Sequence, residues 1–126
     1  LLGTRPTIIC DTGHNVGGWE YISEQLGSVE CKKMHIVIGM VNDKDITSVM
    51  AMMPKDAIYY FTKASVKRAR DEHEVKTIGE EAGLHGECYK DVKTAFEVAR
   101  KSADENDFIF VGGSSFIVAD LLSTFI

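Results

Sequence analysis

A chain of 126 residues has room for one domain built around one hydrophobic core. Its net charge of −5 argues against a nucleic-acid or anionic-membrane surface, which needs clustered Lys and Arg to neutralise phosphates. No apolar run approaches the roughly 18 to 20 residues of a membrane span, so neither membrane nor nucleic acid is expected as a partner.

The first strand signal is Thr7-Ile8-Ile9-Cys10, a short β-rich run that ends at Asp11. From Asn15 the period changes, with Trp19, Ile22 and Leu26 at helical spacing and Gly27 as a stop. His35 to Val41 is apolar almost throughout, as expected of a strand covered on both faces. Asp45 then caps a short helix carrying Ile46, Val49, Met50 and Met53, which Pro54 ends. Ala57-Ile58-Tyr59-Tyr60-Phe61 is a third strand. Val75, Ile78 and Ala82 mark a helix stopping near Gly83, and Glu87-Cys88-Tyr89 is a weak fourth strand. Asp91 opens a helix with Val92, Ala95, Phe96, Ala99 and Ala103 on one face. Phe108 to Val111 is the last strand, and Ser114 or Ser115 caps a final helix bearing Ile117, Val118, Leu121, Leu122 and Phe125.

Strands that alternate with helices require crossovers rather than hairpins. The expected fold is therefore α/β: a Rossmann-like, three-layer domain over residues 1–126, with a mostly parallel sheet of five or six strands and helices on both faces. The chain runs from Leu1 straight into a strand without an initiator Met, so it is expected to be a piece of a longer protein. Cys10, Cys31 and Cys88 are too far apart for a zinc motif, and their odd number does not suit a disulfide framework. A reducing cytoplasm and no metal ligands on this chain are the expectation. His35, His73 and His85 are read as having no matching ligands nearby and as structural or surface residues. Met40, Met50, Met52 and Met53 read as core packing.

In an open parallel sheet, ligands bind outside the carboxyl ends of the strands. Four loops fall there. Asp11-Thr12-Gly13-His14-Asn15 delivers a carboxylate, an imidazole and an amide to the first strand end. Such a set suits a polar ligand, with His14 able to donate to phosphate or carboxylate or to shuttle a proton. Helix capping by Asp11 and Asn15 around a tight turn at Gly13 accounts for the same residues, and both readings stand on position alone. Gly112-Gly113-Ser114-Ser115 allows close backbone approach and places serine hydroxyls at a helix start, which favours carboxylate or phosphate; a plain capped turn is the alternative. It is not a P-loop, because the spacing of two glycines to Lys-Ser/Thr is absent. Asn42-Asp43-Lys44-Asp45 offers a cation at Lys44, or else a solvated turn with a cap. Lys63, Lys67, Arg68 and Arg70 form a local basic cluster that fits an anionic ligand, a neighbouring domain or simple solvation.

The same loops carry a family resemblance. Ile9-Cys10-Asp11-Thr12-Gly13-His14-Asn15-Val16 resembles the strand and Asp-Gly-Ala-His-Asn-Pro of the C-terminal domain of folylpolyglutamate and dihydrofolate synthases, within the Mur ligase superfamily. It departs at Thr12, Gly13 and Val16, and keeps Asp, His and Asn in place. Ile38 to Asp45 resembles the family's strand, Gly and Asp-Lys-Asp; Lys67-Arg68-Ala69 resembles its Arg-Ala; Val111-Gly112-Gly113-Ser114 resembles its Val-Thr-Gly-Ser.

This resemblance implies an ATP-dependent, Mg2+-requiring ligase that joins L-glutamate to folate, dihydropteroate or both through an acyl phosphate. It implies an N-terminal P-loop domain, lacking here, that holds most of the phosphate and Mg2+ contacts, and an isolated fragment that is inactive. Carried over by position, Asp11, His14 and Asn15 would face the nucleotide, with His14 catalytic at the reacting phosphate. Ser114 would hold glutamate, and Lys44 and Arg68 are further candidates. The competing readings are another Mur-type amino-acid ligase and a non-catalytic flavodoxin-like binding domain. A phospho-receiver of that class would want an Asp at the third strand end and a Lys at the fifth; Thr62-Lys63 and Gly112-Gly113 stand there instead.

Overall fold

The computed structural model describes residues 3–4, 7–11, 33–39, 50–51, 53–63, 65, 71–104, 107–112, 117, 119–120 and 122. They form a six-stranded sheet from β1 (Gly3–Thr4), β2 (Thr7–Asp11), β3 (Met34–Ile38), β4 (Ile58–Phe61), β5 (His85–Cys88) and β6 (Phe108–Gly112), in the order β1-β2-β6-β3-β4-β5. β1 runs antiparallel to β2, and every other neighbouring pair is parallel. The mostly parallel α/β sheet expected from the alternation is therefore present, with β1 as an addition that two residues could not signal.

Two helices have complete bounds, α1 (Glu72–Glu81) and α2 (Val92–Ser102). Asp71 caps α1 by accepting from the His73 N–H at 2.7 Å. At its far end the Gly83 N–H donates to the Glu80 carbonyl and the Leu84 N–H to the Gly79 carbonyl. With Gly83 at φ +90°, this is a Schellman stop, and glycine takes that left-handed backbone without a Cβ penalty. Asp91 caps α2 through the Thr94 N–H at 2.7 Å, and Arg100 and Lys101 in its last turn complement the helix dipole.

Side-chain alternation along the strands divides the core in two. Met34, Ile36 and Ile38 of β3, Tyr59 and Phe61 of β4, and Phe108 and Phe110 of β6 pack on one face with Val75 of α1, Met50 and Met53. Val37, Tyr60, Ile109 and Val111 point the other way, against Val92, Ala95, Phe96 and Ala99 of α2 and against Ile117. Strands buried on both faces have no polar side to show, which is why they read as continuous apolar runs. Full burial of each Ile, Val or Phe contributes about 1.5–3 kcal/mol. The connection through α1 steps outward from β4 to β5, and the connection through α2 steps back across the sheet to β6. With right-handed crossovers of opposite direction, the two helices must lie on opposite faces.

Met50 and Met53 are buried as expected, whereas Met40 and Met52 lie outside the described residues. The fourth parallel strand is His85–Cys88 rather than 87–89: His85 and Gly86 carry no hydrophobic signal, and pairing with Ile58 and Tyr59 recruits them.

Candidate functional site

The carboxyl ends of the parallel strands lie level. Asp11 is the register partner of Gly112, Gly112 of Ile38, Ile38 of Phe61, and Phe61 of Cys88. Three backbone bonds continue the row past the strand ends: Gly39 N–H to the Gly112 carbonyl at 3.3 Å, Thr62 N–H to Ile38 at 2.9 Å, and Tyr89 N–H to Phe61 at 2.7 Å. The edge selected by topology is thus one continuous line, with β2 and β6 side by side within it.

Of the residues expected at the site, Asp11 closes β2 beside Gly112, the residue from which Gly113 and Ser114 follow. The loop with His14 and the loop with Ser114 therefore leave the sheet from adjacent strands at the same level. His14, Asn15, Lys44, Arg68 and Ser114 themselves lie outside the described residues.

Around this line the packing is close. A Cβ on Gly39 would come within 2.6 Å of Ile117 Cδ1 and 2.7 Å of the Thr62 carbonyl oxygen, so only glycine lets the strand end, the next loop and the final helical segment meet here. Residues 117, 119, 120 and 122 are helical, and Ile117 is fully buried. In this segment Asp120 accepts from the Ser65 N–H at 2.7 Å and the Ser65 hydroxyl at 2.9 Å. Sequence reasoning missed this pair, since its members stand 55 residues apart and neither belongs to a motif.

A second polar cluster occupies the opposite half of the sheet. His35 Nδ1 lies 2.8 Å from the Tyr60 hydroxyl, and His35 Nε2 lies 2.9 Å from Asp107 Oδ2. The His35 and Asp107 side chains are 1% and 2% exposed, so no substrate reaches them. Burial pushes the Tyr60 phenol up, against a hydrogen bond with Ser102 that lowers it. The expectation that His35 is structural is thereby explained. His73, in contrast to the sequence reading, does have ligand-type neighbours: Asp71 Oδ1 at 3.1 Å and Glu72 Oε1 at 3.6 Å. Asp71 is engaged there as the cap of α1, and its hydrogen bonds from the His73 backbone and ring hold its carboxyl below the usual range. These three exposed or helix-end groups are accounted for by capping.

A mostly parallel α/β sheet whose strands end level, with helices packed on it, defines a Rossmann-like domain. The family model described as the Mur ligase, glutamate ligase domain matches residues 1–115, and the chain belongs to that family. It is 32% identical over 93% of its length to the dihydrofolate synthase/folylpolyglutamate synthase of Haemophilus influenzae. It is 28% identical over 98% of its length to a probable bifunctional folylpolyglutamate synthase/dihydropteroate synthase of Haloferax volcanii. Among solved structures, E. coli FolC in complex with DHPP and ADP superposes with a TM-score of 0.88 at 23% identity, over 98% of this chain and 30% of that one. A bifunctional folylpolyglutamate synthase/dihydrofolate synthase with Mn, AMPPNP and L-glutamate bound superposes at 0.85 with 26% identity, over 99% of this chain and 30% of that one. The chain spans only 28% of the H. influenzae relative and 15% of the H. volcanii one. Among the described residues, no helix is long and apolar enough to cross a membrane.

Proposed function

We propose that this domain is the glutamate-side part of an ATP-dependent ligase that adds L-glutamate to folate, dihydropteroate or both, acting with an N-terminal P-loop domain in a cytoplasmic protein. The observation that carries the reading is the register pairing of Asp11 with Gly112, which starts the His14 and Ser114 loops from neighbouring strand ends. The folate-synthase relatives and the nucleotide- and glutamate-bound structures that share the fold support this reading over other Mur-type acceptors.

The chemistry divides into two displacements. A carboxylate oxygen of the acceptor attacks the γ-phosphorus of ATP, and ADP leaves. The glutamate nitrogen then attacks the acyl carbon, phosphate leaves, and the nitrogen loses a proton. Both steps need aligned reactants and exclusion of water from the acyl phosphate. In this reading Asp11, His14 and Asn15 orient the nucleotide, with His14 donating to the transferring phosphate; Ser114 and Arg68 hold glutamate, and Lys44 approaches phosphate. Bound Mg2+ would neutralise charge on the phosphates. In this reading the ion is held mainly by the N-terminal domain.

The test is an assay of the complete ligase containing this domain with ATP, Mg2+, L-glutamate and either dihydropteroate or a reduced folate. ADP and glutamylated product should form in equal amounts, and the 126-residue chain alone should form neither. Turnover of UDP-muramoyl acceptors in place of both folate-type acceptors would overturn the assignment.

A further inference from the structure

Thr62 combines two properties that native interiors seldom put together. It is fully buried, and its hydroxyl has no hydrogen-bond partner among the described residues. Its backbone still belongs to the sheet, since the Thr62 N–H donates to the Ile38 carbonyl at 2.9 Å. Strand alternation turns Phe61 towards α1 and Tyr60 towards α2, so Thr62 faces the α2 side, as does Gly39 one position beyond Ile38. A Cβ on Gly39 would meet Ile117 Cδ1 at 2.6 Å and the Thr62 carbonyl oxygen at 2.7 Å, so Ile117 sits against the end of β4. A hydroxyl sealed there gives up water and receives no bond in return, a loss that a valine of the same shape would not suffer. The segment that bears Ile117 is also tied down from outside. Half-buried Asp120 accepts two bonds from exposed Ser65, a polar contact that water can replace.

We propose that the final helical segment is a latch that lifts from the carboxyl edge while the sheet stays folded, with the buried Thr62 hydroxyl setting the opening equilibrium. Closed, the latch keeps that hydroxyl dry. Open, the hydroxyl binds water, and this gain offsets part of the apolar contact that Ile117 gives up. Asp120 and Ser65 oppose the opening and part when it occurs. Local opening of this kind draws on the least stable part of a fold and leaves its interior strands paired. The proposal concerns the domain itself and does not rest on the ligase reading.

Native-state amide hydrogen exchange of the 126-residue chain reads the latch directly. In the parent, the amides of Asp120, Leu122 and Ser65 should exchange together, at least about a hundredfold faster than those of β3 and β6. Thr62→Val, which removes the hydroxyl and keeps the shape, should slow these three amides about fivefold. Thr62→Ser, which keeps the hydroxyl, should not slow them. Asp120→Ala should speed the Leu122 amide about fivefold, and Ser65→Ala, which keeps the backbone bond, about twofold. Protection of the three amides equal to that of β3 in the parent overturns the latch without recourse to any variant. A slowing in Thr62→Val that is confined to β3 and β6 overturns it as well, because the hydroxyl would then be sealed by something other than the final segment. An equal slowing in Thr62→Ser removes the hydroxyl from the cause and sinks the proposal in the same way.

Discussion

The two ends of the sheet carry similar chemistry in opposite settings. At the amino half, His35 sits between Tyr60 and Asp107 with hydrogen bonds of 2.8 and 2.9 Å, an arrangement that on paper resembles a base with its orienting carboxylate. At the carboxyl end, Asp11 and Gly112 sit side by side where two polar loops begin. The first cluster is sealed: His35 is fully buried and Asp107 is 4% exposed. It ties the turn before β6 to β3 and β4, because Asp107 Oδ2 also accepts from the Asp104 N–H at 3.0 Å. Access and strand direction, rather than a buried imidazole–carboxylate pair, separate a site from a structural pin.

That contrast breaks most visibly through stability. Asp107→Ala or His35→Ala should destabilise the domain by about 3–5 kcal/mol, because each leaves buried polar partners uncompensated. Denaturant melts of the 126-residue chain check this, and a loss below about 1 kcal/mol would mean the pin contributes little. At the other end, Asp11→Ala and His14→Ala should lower ligase activity at least about tenfold. The thermal midpoint of His14→Ala should stay close to the parent. Activity within twofold of the parent for both variants would remove these residues from the mechanism. Asp91, the cap of α2, belongs to neither cluster and gives a smaller reference effect: Asp91→Ala should cost about 1 kcal/mol with no change in KM values.

The smallest effect is a pH dependence. Hydrogen bonds from the Thr94 side chain and backbone hold the Asp91 carboxyl below its ordinary value. A depressed carboxyl contributes stability above the unfolded pKa of about 3.9, and that contribution is lost as pH falls through the folded value. Asp91→Asn should therefore match the parent near neutrality and show a shallower loss of stability below about pH 4. Identical acid slopes for the two proteins would show that the cap carries no linked proton.

Local patterning made the architecture readable. The Asp91 cap and the apolar stripe through Val92, Ala95, Phe96 and Ala99 were legible because they obey one helical period, and the stop at Gly83 because left-handed backbone favours glycine. β1 was not legible, since two residues have no period, and β5 was displaced because its start depends on its neighbour rather than on its own side chains. The strand-end rule singles out an edge, and the motif at Asp11 to Asn15 nominates residues on it, of which the structure describes Asp11 at the end of β2. What the chain could not announce were the contacts made across sequence distance. Asp107 meets His35 from 72 positions away and Asp120 meets Ser65 from 55, and no single-chain pattern encodes such partners.

The two rims of the sheet also guard against unwanted strand pairing. The row of strands ends in a two-residue ribbon on one side and in the four-residue β5 on the other, while its interior strands run to four (β4) or five (β2, β3 and β6). β5 alternates exposed His85 and Glu87 with half-buried Gly86 and Cys88, and Lys76 Nζ stands 3.6 Å from Glu87. A rim of two residues on one side and a charged rim on the other make poor templates for a foreign strand. A domain with such rims can stay in solution at high concentration without recruiting its own copies into fibrils.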